Sequence, residues 1–219
     1  MRKRRFKNSF QMFVYKELAW FFKIILRYLY KLEVKGLENI PKEGPAIIAP
    51  NHRSSLDVLA IASILPRPIK ALGKIERFRY PIFGRFAKYL GGIPVKREQV
   101  DLSAIRGAFE ALKNGNILLI FPEGTRIGVK KKIGEAKRGV AYLASRTKVP
   151  VIPTAIIGAD KIWPPEKKIP HLKGKVKVIF GNPIYYESEI NKKEEENFTK
   201  LIMEKINKLL VAEYEGKNI

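Results

Sequence analysis

Apolar residues in this chain gather in short uninterrupted runs, and between the runs they recur every three or four positions. The runs at 46–49, 117–121 and 151–157, the last interrupted by Thr154, mark strands buried on both faces. Shorter runs predict further strands at 69–73, 92–95 and 176–180, and an edge strand at 32–35. Pro150 and Pro153 flank part of one apolar run, which fits a sheet edge or a stretch whose backbone amides are not needed. Helical spacing covers 58–65, ended by Pro66. It also covers 101–114, where Leu102, Ile105, Ala108, Phe109 and Leu112 carry the apolar pattern and Gly115 supplies a stop. Two more helices are predicted, over about 135–145 and about 189–213, the second burying Phe198, Leu201, Ile202, Ile206, Leu209 and Leu210. Strands alternating with helices predict an α/β fold with a mostly parallel central sheet covered by helices on both faces.

Residues 1–35 have a different pattern. Ten of them are basic (Arg2, Lys3, Arg4, Arg5, Lys7, Lys16, Lys23, Arg27, Lys31 and Lys35), against Glu17 and Glu33. From Phe10 to Tyr30 the remainder is largely aromatic and aliphatic. On a helical wheel Lys16, Lys23, Arg27 and Lys31 form one narrow stripe, while Phe13, Leu18, Phe21, Phe22, Ile25 and Leu29 cover the other sides. Trp20, Tyr28 and Tyr30 suit a lipid headgroup region, and long basic stems can reach out from such a helix. The alternative is a helix packed on the domain core. Residues 1–31 are thus expected to form an N-terminal amphipathic membrane-associating segment, dispensable for the chemistry, ahead of an α/β domain spanning 32–219.

Composition narrows the picture. The 219 residues include 43 Lys plus Arg against 21 Asp plus Glu, a net charge of +22, and no cysteine. The imbalance points to an anionic partner: nucleic acid, an acidic membrane surface or phosphorylated substrates. Without cysteine, disulfides, thiolate metal sites and a cysteine nucleophile are excluded. No apolar run approaches the roughly 18 residues that span a bilayer. The basic start is not followed by a signal-peptide pattern, so the chain is expected on the cytosolic side.

Four segments carry candidate chemistry. Residues 51–57, Asn-His-Arg-Ser-Ser-Leu-Asp, follow directly on a predicted buried strand. Asp57 lies within one turn's reach of His52, and a carboxylate there fixes the imidazole tautomer and leaves the other nitrogen to accept a proton. The alternative is a loop histidine and a helix-start aspartate that never meet. Residues 121–126, Phe-Pro-Glu-Gly-Thr-Arg, end the most apolar strand, where an open α/β sheet builds its ligand crevice; the alternative is a surface turn. Residues 91–97, Gly-Gly-Ile-Pro-Val-Lys-Arg, lead from a short strand into a basic pair, and 149–153, Val-Pro-Val-Ile-Pro, complete the set.

In this order and at these separations, the four segments resemble the motifs of the glycerolipid acyltransferases, most of all the bacterial 1-acylglycerol-3-phosphate acyltransferases. Asn51, His52 and Asp57 match the first motif, and residues 91–97 the second, with Pro94 where an aromatic is usual and Lys96 where an acid is common. Residues 121–126 match the third in full and 149–153 the fourth. Lys137 and Gly139 fit a Lys-x-Gly that often follows the third. The resemblance covers roughly 32–184.

The resemblance implies transfer of a fatty acyl group from acyl-CoA or acyl carrier protein to the free hydroxyl of 1-acylglycerol-3-phosphate, giving phosphatidate. No cofactor or metal is expected beyond that co-substrate. An alcohol is a poor nucleophile at neutral pH, so a base must take its proton; His52 is the candidate, oriented by Asp57. Direct attack is the simplest route, with a serine acyl-enzyme through Ser54 or Ser55 as the alternative. Arg97 and Arg126 are the candidate phosphate ligands, because guanidinium pairs with phosphate bidentately, and Lys137 adds charge. Glu123, Gly124 and Thr125 are expected to position substrate. The oxyanion needs donors, sought at backbone N–H groups near Lys96 or Gly124, with Asn51 as a donor or supporting group.

The implied partners are an anionic membrane surface, the lysophospholipid acceptor and the acyl donor. The implied location is the cytoplasmic face of the cell membrane, bound there without crossing. Glycerol 3-phosphate and a lyso-aminolipid are alternative acceptors. A nucleic-acid binder would interleave exposed aromatics with its basic residues, a pattern absent here. A metallohydrolase built on His52, Asp57, Glu123 and His171 lacks ligand spacing around His171.

Overall fold

A computed structural model of the chain describes residues 9–96, 101–126, 136–167 and 169–215. The continuous apolar runs become β2 (Ala46–Pro50), β5 (Ile117–Leu119) and β6 (Val151–Ile157), each buried along its whole length. With β1 (Glu33–Lys35), β3 (Ile69–Lys74), β4 (Gly92–Val95) and β7 (Lys177–Phe180) they form one seven-stranded sheet in the order β1-β7-β6-β2-β5-β3-β4. The strands from β6 through β4 pair in parallel, whereas β7 runs antiparallel to β6 and β1 follows β7. The parallel sheet and the edge position of β1 were expected from the sequence.

Successive residues of a strand point to opposite faces, so each central strand feeds two cores. Ile48, Leu119 and Ile152 pack with α1 (Ser9–Leu29) and α2 (Asp57–Ile64) on one face. Ile47, Leu118 and Val151 pack on the other, against α4 (Leu102–Lys113), α5 (Gly139–Thr147) and α7 (Lys192–Glu215). The short helices α3 (Pro81–Tyr89) and α6 (Ala159–Ile162) complete the set and were not expected. The helix predicted over about 135–145 starts later, at Gly139; Glu135 lies outside the described residues.

Pro153 sits in an interior strand, between β2 and β7, and not at an edge. Its carbonyl accepts from Gly181 N, so its nitrogen also faces the β7 side, just past the last paired residue there, Phe180 opposite Thr154. The missing amide therefore breaks no ladder bond.

The first helix packs as well as displays. Tyr15, Leu26 and Tyr30 are buried, while Phe10, Phe13, Trp20, Phe21, Tyr28 and Leu29 are exposed. The Tyr15 hydroxyl accepts from Ile69 N, and burial pushes its pKa up to about 12. At the other end, Tyr30 O accepts from Val176 N. So α1 crosses the sheet face from the start of β3 to the start of β7. Lys31 lies past the helix end in left-handed backbone (φ 43°) and is not on the cationic stripe.

This packing predicts an asymmetry. Leu26→Ala should destabilise the fold by about 2–5 kcal/mol, the range for emptying a buried leucine site. Phe13→Ala on the outer face should cost less than about 0.5 kcal/mol. Urea unfolding of both variants measures the difference.

Candidate active site

Parallel pairing of β2 with β5, in the register Ile48 opposite Leu119, brings the ends of these strands side by side. The helix that follows β2 packs on one face of the sheet and the helix that follows β5 packs on the other. Connections that diverge from neighbouring strands open a crevice between their carboxyl ends. Residues 51–57 and 121–126 are the two walls of that crevice.

The first wall is built on one carboxylate oxygen. Asp57 Oδ2 lies 2.8 Å from His52 Nδ1 and accepts from the backbone N–H groups of Arg53 (2.9 Å) and Ser54 (2.8 Å). An oxygen that already accepts two N–H groups acts as an acceptor toward the ring too, so Nδ1 carries the imidazole proton. His52 and Asp57 are both buried, and the ring stacks on Phe121 with centroids 3.7 Å apart. Asn51 clamps this wall to β6: its Nδ2 donates to Ile156 O (2.9 Å) and its Oδ1 accepts from Ile156 N (2.7 Å). Arg53 reaches across to Asp160 of α6 at 3.1 Å, and Ser54 Oγ donates to Trp163 O at 2.8 Å.

The second wall turns at Gly124, whose φ of 68° lies in the region that favours glycine. A Cβ there would also stand 3.1 Å from Lys137 Cδ, so the lysine stem lies over the turn. Lys137 N donates to Pro122 O and fixes the return of the chain. Glu123 is buried and its Oε2 accepts from His52 N at 2.9 Å, joining the two walls directly. Arg126 donates to Ser55 Oγ at 2.6 Å and so stands beside the start of α2, while Thr125 is exposed.

Several expected donors are already engaged. Asn51 has its Oδ1 and one Nδ2 hydrogen engaged with Ile156, which suits the supporting role. Lys96 N donates to Asp101 Oδ2, and Gly124 N donates to Phe121 O, so neither amide points into the crevice with its hydrogen available. Asp101 caps α4, and the Ser103 hydroxyl, then the amides of Lys96 and Ala104, hold its carboxyl down to about 2. Ser54 Oγ is buried and both donates and accepts, and Ser55 Oγ accepts from Arg126; neither has a base on it among the described residues. Arg97 lies outside the described residues. His171 lies in the α6–β7 connection, 2.9 Å from Lys167 Nζ. Among the described residues no group of three or more acidic or histidine side chains is placed to hold a metal ion.

A cavity of about 980 Å³ opens beside the second wall. Leu72, Ile105, Ala108, Ile120, Val140 and Leu143 form apolar surface in it, and Lys96, Lys137, Arg138, Arg146 and Lys192 are the basic residues that line it. Arg146 pairs with Glu195 at 2.6 Å and Arg138 lies 3.6 Å from the same carboxyl, whereas Lys137 forms no ion pair with a described carboxylate. Leu102, assigned by spacing to the buried face of α4, is instead exposed where it lines this cavity.

A family model described as Acyltransferase matches residues 31–157, more than half of the chain. The chain belongs to the acyltransferase family. Within it, the chain is 34% identical over 173 residues to the 1-acyl-sn-glycerol-3-phosphate acyltransferase of Bacillus subtilis, covering 78% of this chain and 83% of that one. It is 33% identical over 186 residues to the chloroplastic enzyme of that name, BAT2, from Brassica napus, covering 83% of this chain and 52% of that one. The chain therefore spans about half the length of this plant acyltransferase. The crystal structure of the 1-acyl-sn-glycerophosphate (LPA) acyltransferase PlsC from Thermotoga maritima is similar at a TM-score of 0.74 and 28% identity, over 90% of this chain and 79% of that one. The α/β sheet with its preceding helix is thus the fold of that acyltransferase.

Sequence reasoning missed three supports of this candidate site. Phe121 was read only as a strand end, yet it is the surface on which His52 rests. Asp160 and Trp163 hold the 53–54 backbone from a helix too short to show a period. The clamp yields a test. Asn51→Ala leaves the N–H and C=O of Ile156 buried without these partners, so the fold should lose about 2–4 kcal/mol. Asn51→Asp keeps the acceptor but cannot donate, and should still lose more than about 1 kcal/mol. Equilibrium unfolding of the two variants gives both numbers.

Proposed function

We propose that this chain transfers a fatty acyl group from an acyl thioester to the free hydroxyl of 1-acylglycerol-3-phosphate, releasing phosphatidate and the thiol. The observation that carries the reading is the buried His52–Asp57 pair at 2.8 Å, set at the carboxyl end of the sheet in a chain of this family. The names of the Bacillus subtilis and Thermotoga maritima relatives supply the acceptor.

In this mechanism His52 Nε2 takes the hydroxyl proton as the oxygen attacks the thioester carbonyl. Asp57 holds the ring in the required tautomer and stabilises the imidazolium that forms. The tetrahedral intermediate collapses, the carbon–sulfur bond breaks, and His52 returns the proton to the departing thiolate. No serine is needed as a relay, since Ser54 and Ser55 are tied into the loop. Glu123 and Phe121 keep the imidazole in place through its amide and its ring face. Arg126 and Lys137, with Arg97, bind the acceptor phosphate. The cavity, apolar with a basic lining, suits an amphiphile: acyl chain against the walls, phosphate against the cations. Acyl-CoA and acyl carrier protein both satisfy this chemistry as donors, and it requires no cofactor.

The enzyme works at the cytoplasmic face of the cell membrane in this reading. Its outward α1 aromatics and the cations Lys16, Lys23 and Arg27 are exposed together, and no helix among the described residues is long and apolar enough to cross a bilayer.

His52→Ala should lower kcat by about 10²-fold or more while leaving the circular-dichroism spectrum of the parent. Near-parental turnover in that folded variant would sink the general-base mechanism. Asp57→Asn should also be strongly impaired, because the amide cannot offset the imidazolium charge.

The phosphate ligands are tested separately. Arg126→Ala and Arg97→Ala should each weaken use of the phosphate-bearing acceptor by about ten-fold to 150-fold, from the roughly 1.5–3 kcal/mol of a charged hydrogen bond. A monoacylglycerol acceptor, which lacks the phosphate, should show a much smaller loss. Equal losses on both acceptors would assign these arginines to structure.

A further inference from the structure

The two most exposed large hydrophobic side chains among the described residues are not on α1. They are Leu172 (78% exposed) and Ile169 (77%), both in the connection from α6 to β7. This connection is folded. His171 N donates to Ile162 O, Lys167 N to Pro164 O, and the Trp163 indole to Lys167 O. Gly174 is pressed onto Ile162 so closely that a Cβ would stand 2.4 Å from Ile162 Cγ1. Two aliphatic side chains held out in water by a knit loop gain nothing from the fold and have about the full burial energy still to gain from an apolar phase.

The charge around them is mostly positive. Lys167, Lys173 and Lys175 are exposed on the same connection and Lys161 on α6 at its root, against Glu166. Aliphatic tips ringed by lysines match the layers of an anionic bilayer surface, acyl chains beneath phosphates. The connection also lies on the sheet face that carries α1, since Trp163, Ile162 and Val176 share a core with Leu26 and Tyr30. Its root touches the catalytic loop through the Arg53–Asp160 pair and the Ser54–Trp163 hydrogen bond.

We infer that this connection is a second membrane-insertion element, in which Ile169 and Leu172 enter an anionic bilayer surface beside α1 and set the catalytic loop at the lipid boundary. The inference rests on the interfacial reading above and adds a defined contact to it.

The chain has no cysteine, so Leu172→Cys in the full chain carries the sole thiol for an environment-sensitive fluorophore. Phe13→Cys reports α1 in the same way, and Lys113→Cys reports the exposed end of α4 on the opposite face. On phosphatidylglycerol vesicles the labels at 172 and 13 should shift to the blue and brighten, and the label at 113 should not respond. The unlabelled Ile169→Asp/Leu172→Asp double variant should partition onto those vesicles about ten-fold more weakly or worse. Its acylation of a detergent-dispersed short-chain acceptor should stay within about two-fold of the parent, because neither residue lines the site. A silent label at 172 with a responding label at 13 overturns the second contact and leaves docking by α1 intact. Silence at both, with no vesicle binding by the parent, removes the interfacial reading and this inference with it. A response at 172 to an acidic acyl carrier protein but not to vesicles makes the surface a protein-docking site and overturns the proposal. The dispersed-acceptor assay of the parent judges the acyltransferase reading independently of all three outcomes.

Discussion

One carboxylate oxygen organises the catalytic end of this molecule. Asp57 Oδ2 gathers the His52 ring and the amides of Arg53 and Ser54 into a closed turn. The turn does local and chemical work together. It reverses the chain at the end of β2, starts α2, and engages one ring nitrogen, leaving the other for the proton transfer proposed for this site. Because the oxygen is buried, its three contacts act in a medium where charge-assisted hydrogen bonds are strong and an unpaired partner is costly. The residues around it are chosen to keep it so. Asn51 fixes the turn to β6, Glu123 to the neighbouring turn, and Arg53 to α6. The imidazole is positioned by three strands' worth of scaffold through contacts that each satisfy a buried polar group.

The sheet topology explains why these contacts converge. Adjacent parallel strands whose connections leave to opposite faces must part at their carboxyl ends, and β2 and β5 are such a pair. The histidine and the Phe-Pro-Glu-Gly-Thr-Arg turn are distant in sequence, yet the Ile48–Leu119 register leaves them only a strand spacing apart. Gly124 then lets the second turn fold tightly enough for Glu123 to reach the His52 amide.

How much of this was legible in the sequence depended on the physics of each segment. All seven strands were found because the buried ones are continuous apolar runs, a signal that survives without neighbours. The α3 and α6 helices were not, since nine and four residues give little room for a period to declare itself. Leu102 followed helical spacing yet lies exposed at the cavity, because spacing reports a face of the helix and not what covers it. The His52–Asp57 reach could be judged from five residues of local chain. The engagement of Asn51 with Ile156 could not, for it spans 105 residues and depends on β2 lying against β6. The amides of Lys96 and Gly124 looked available for the same reason: a sequence shows which donors exist but not which acceptors have already taken them.

The division of labour between the two faces of the sheet bears on how a lipid reaches this site. On one face α1 turns its aromatics outward while its inner side packs against α2, so that face offers chiefly a surface. On the other, α4, α5 and the start of α7 leave an apolar cavity beside the Phe121–Arg126 turn. The catalytic loop stands at the boundary between them, at the top of β2. An acceptor with one acyl chain and a phosphate has two unlike ends, and water is a poor route for the first of them. A molecule taken from a bilayer at the α1 face need only bring its polar end over the sheet edge to meet His52. In the proposed reaction its phosphate then meets the cations beside the cavity, whose apolar walls adjoin the Phe121–Arg126 turn. In the proposed reaction, which joins two chains on a phosphate-bearing backbone, the α1 surface and the cavity are two apolar regions with one polar crevice between them. The buried hydrogen bonds of the 51–57 loop keep that crevice from collapsing into either region.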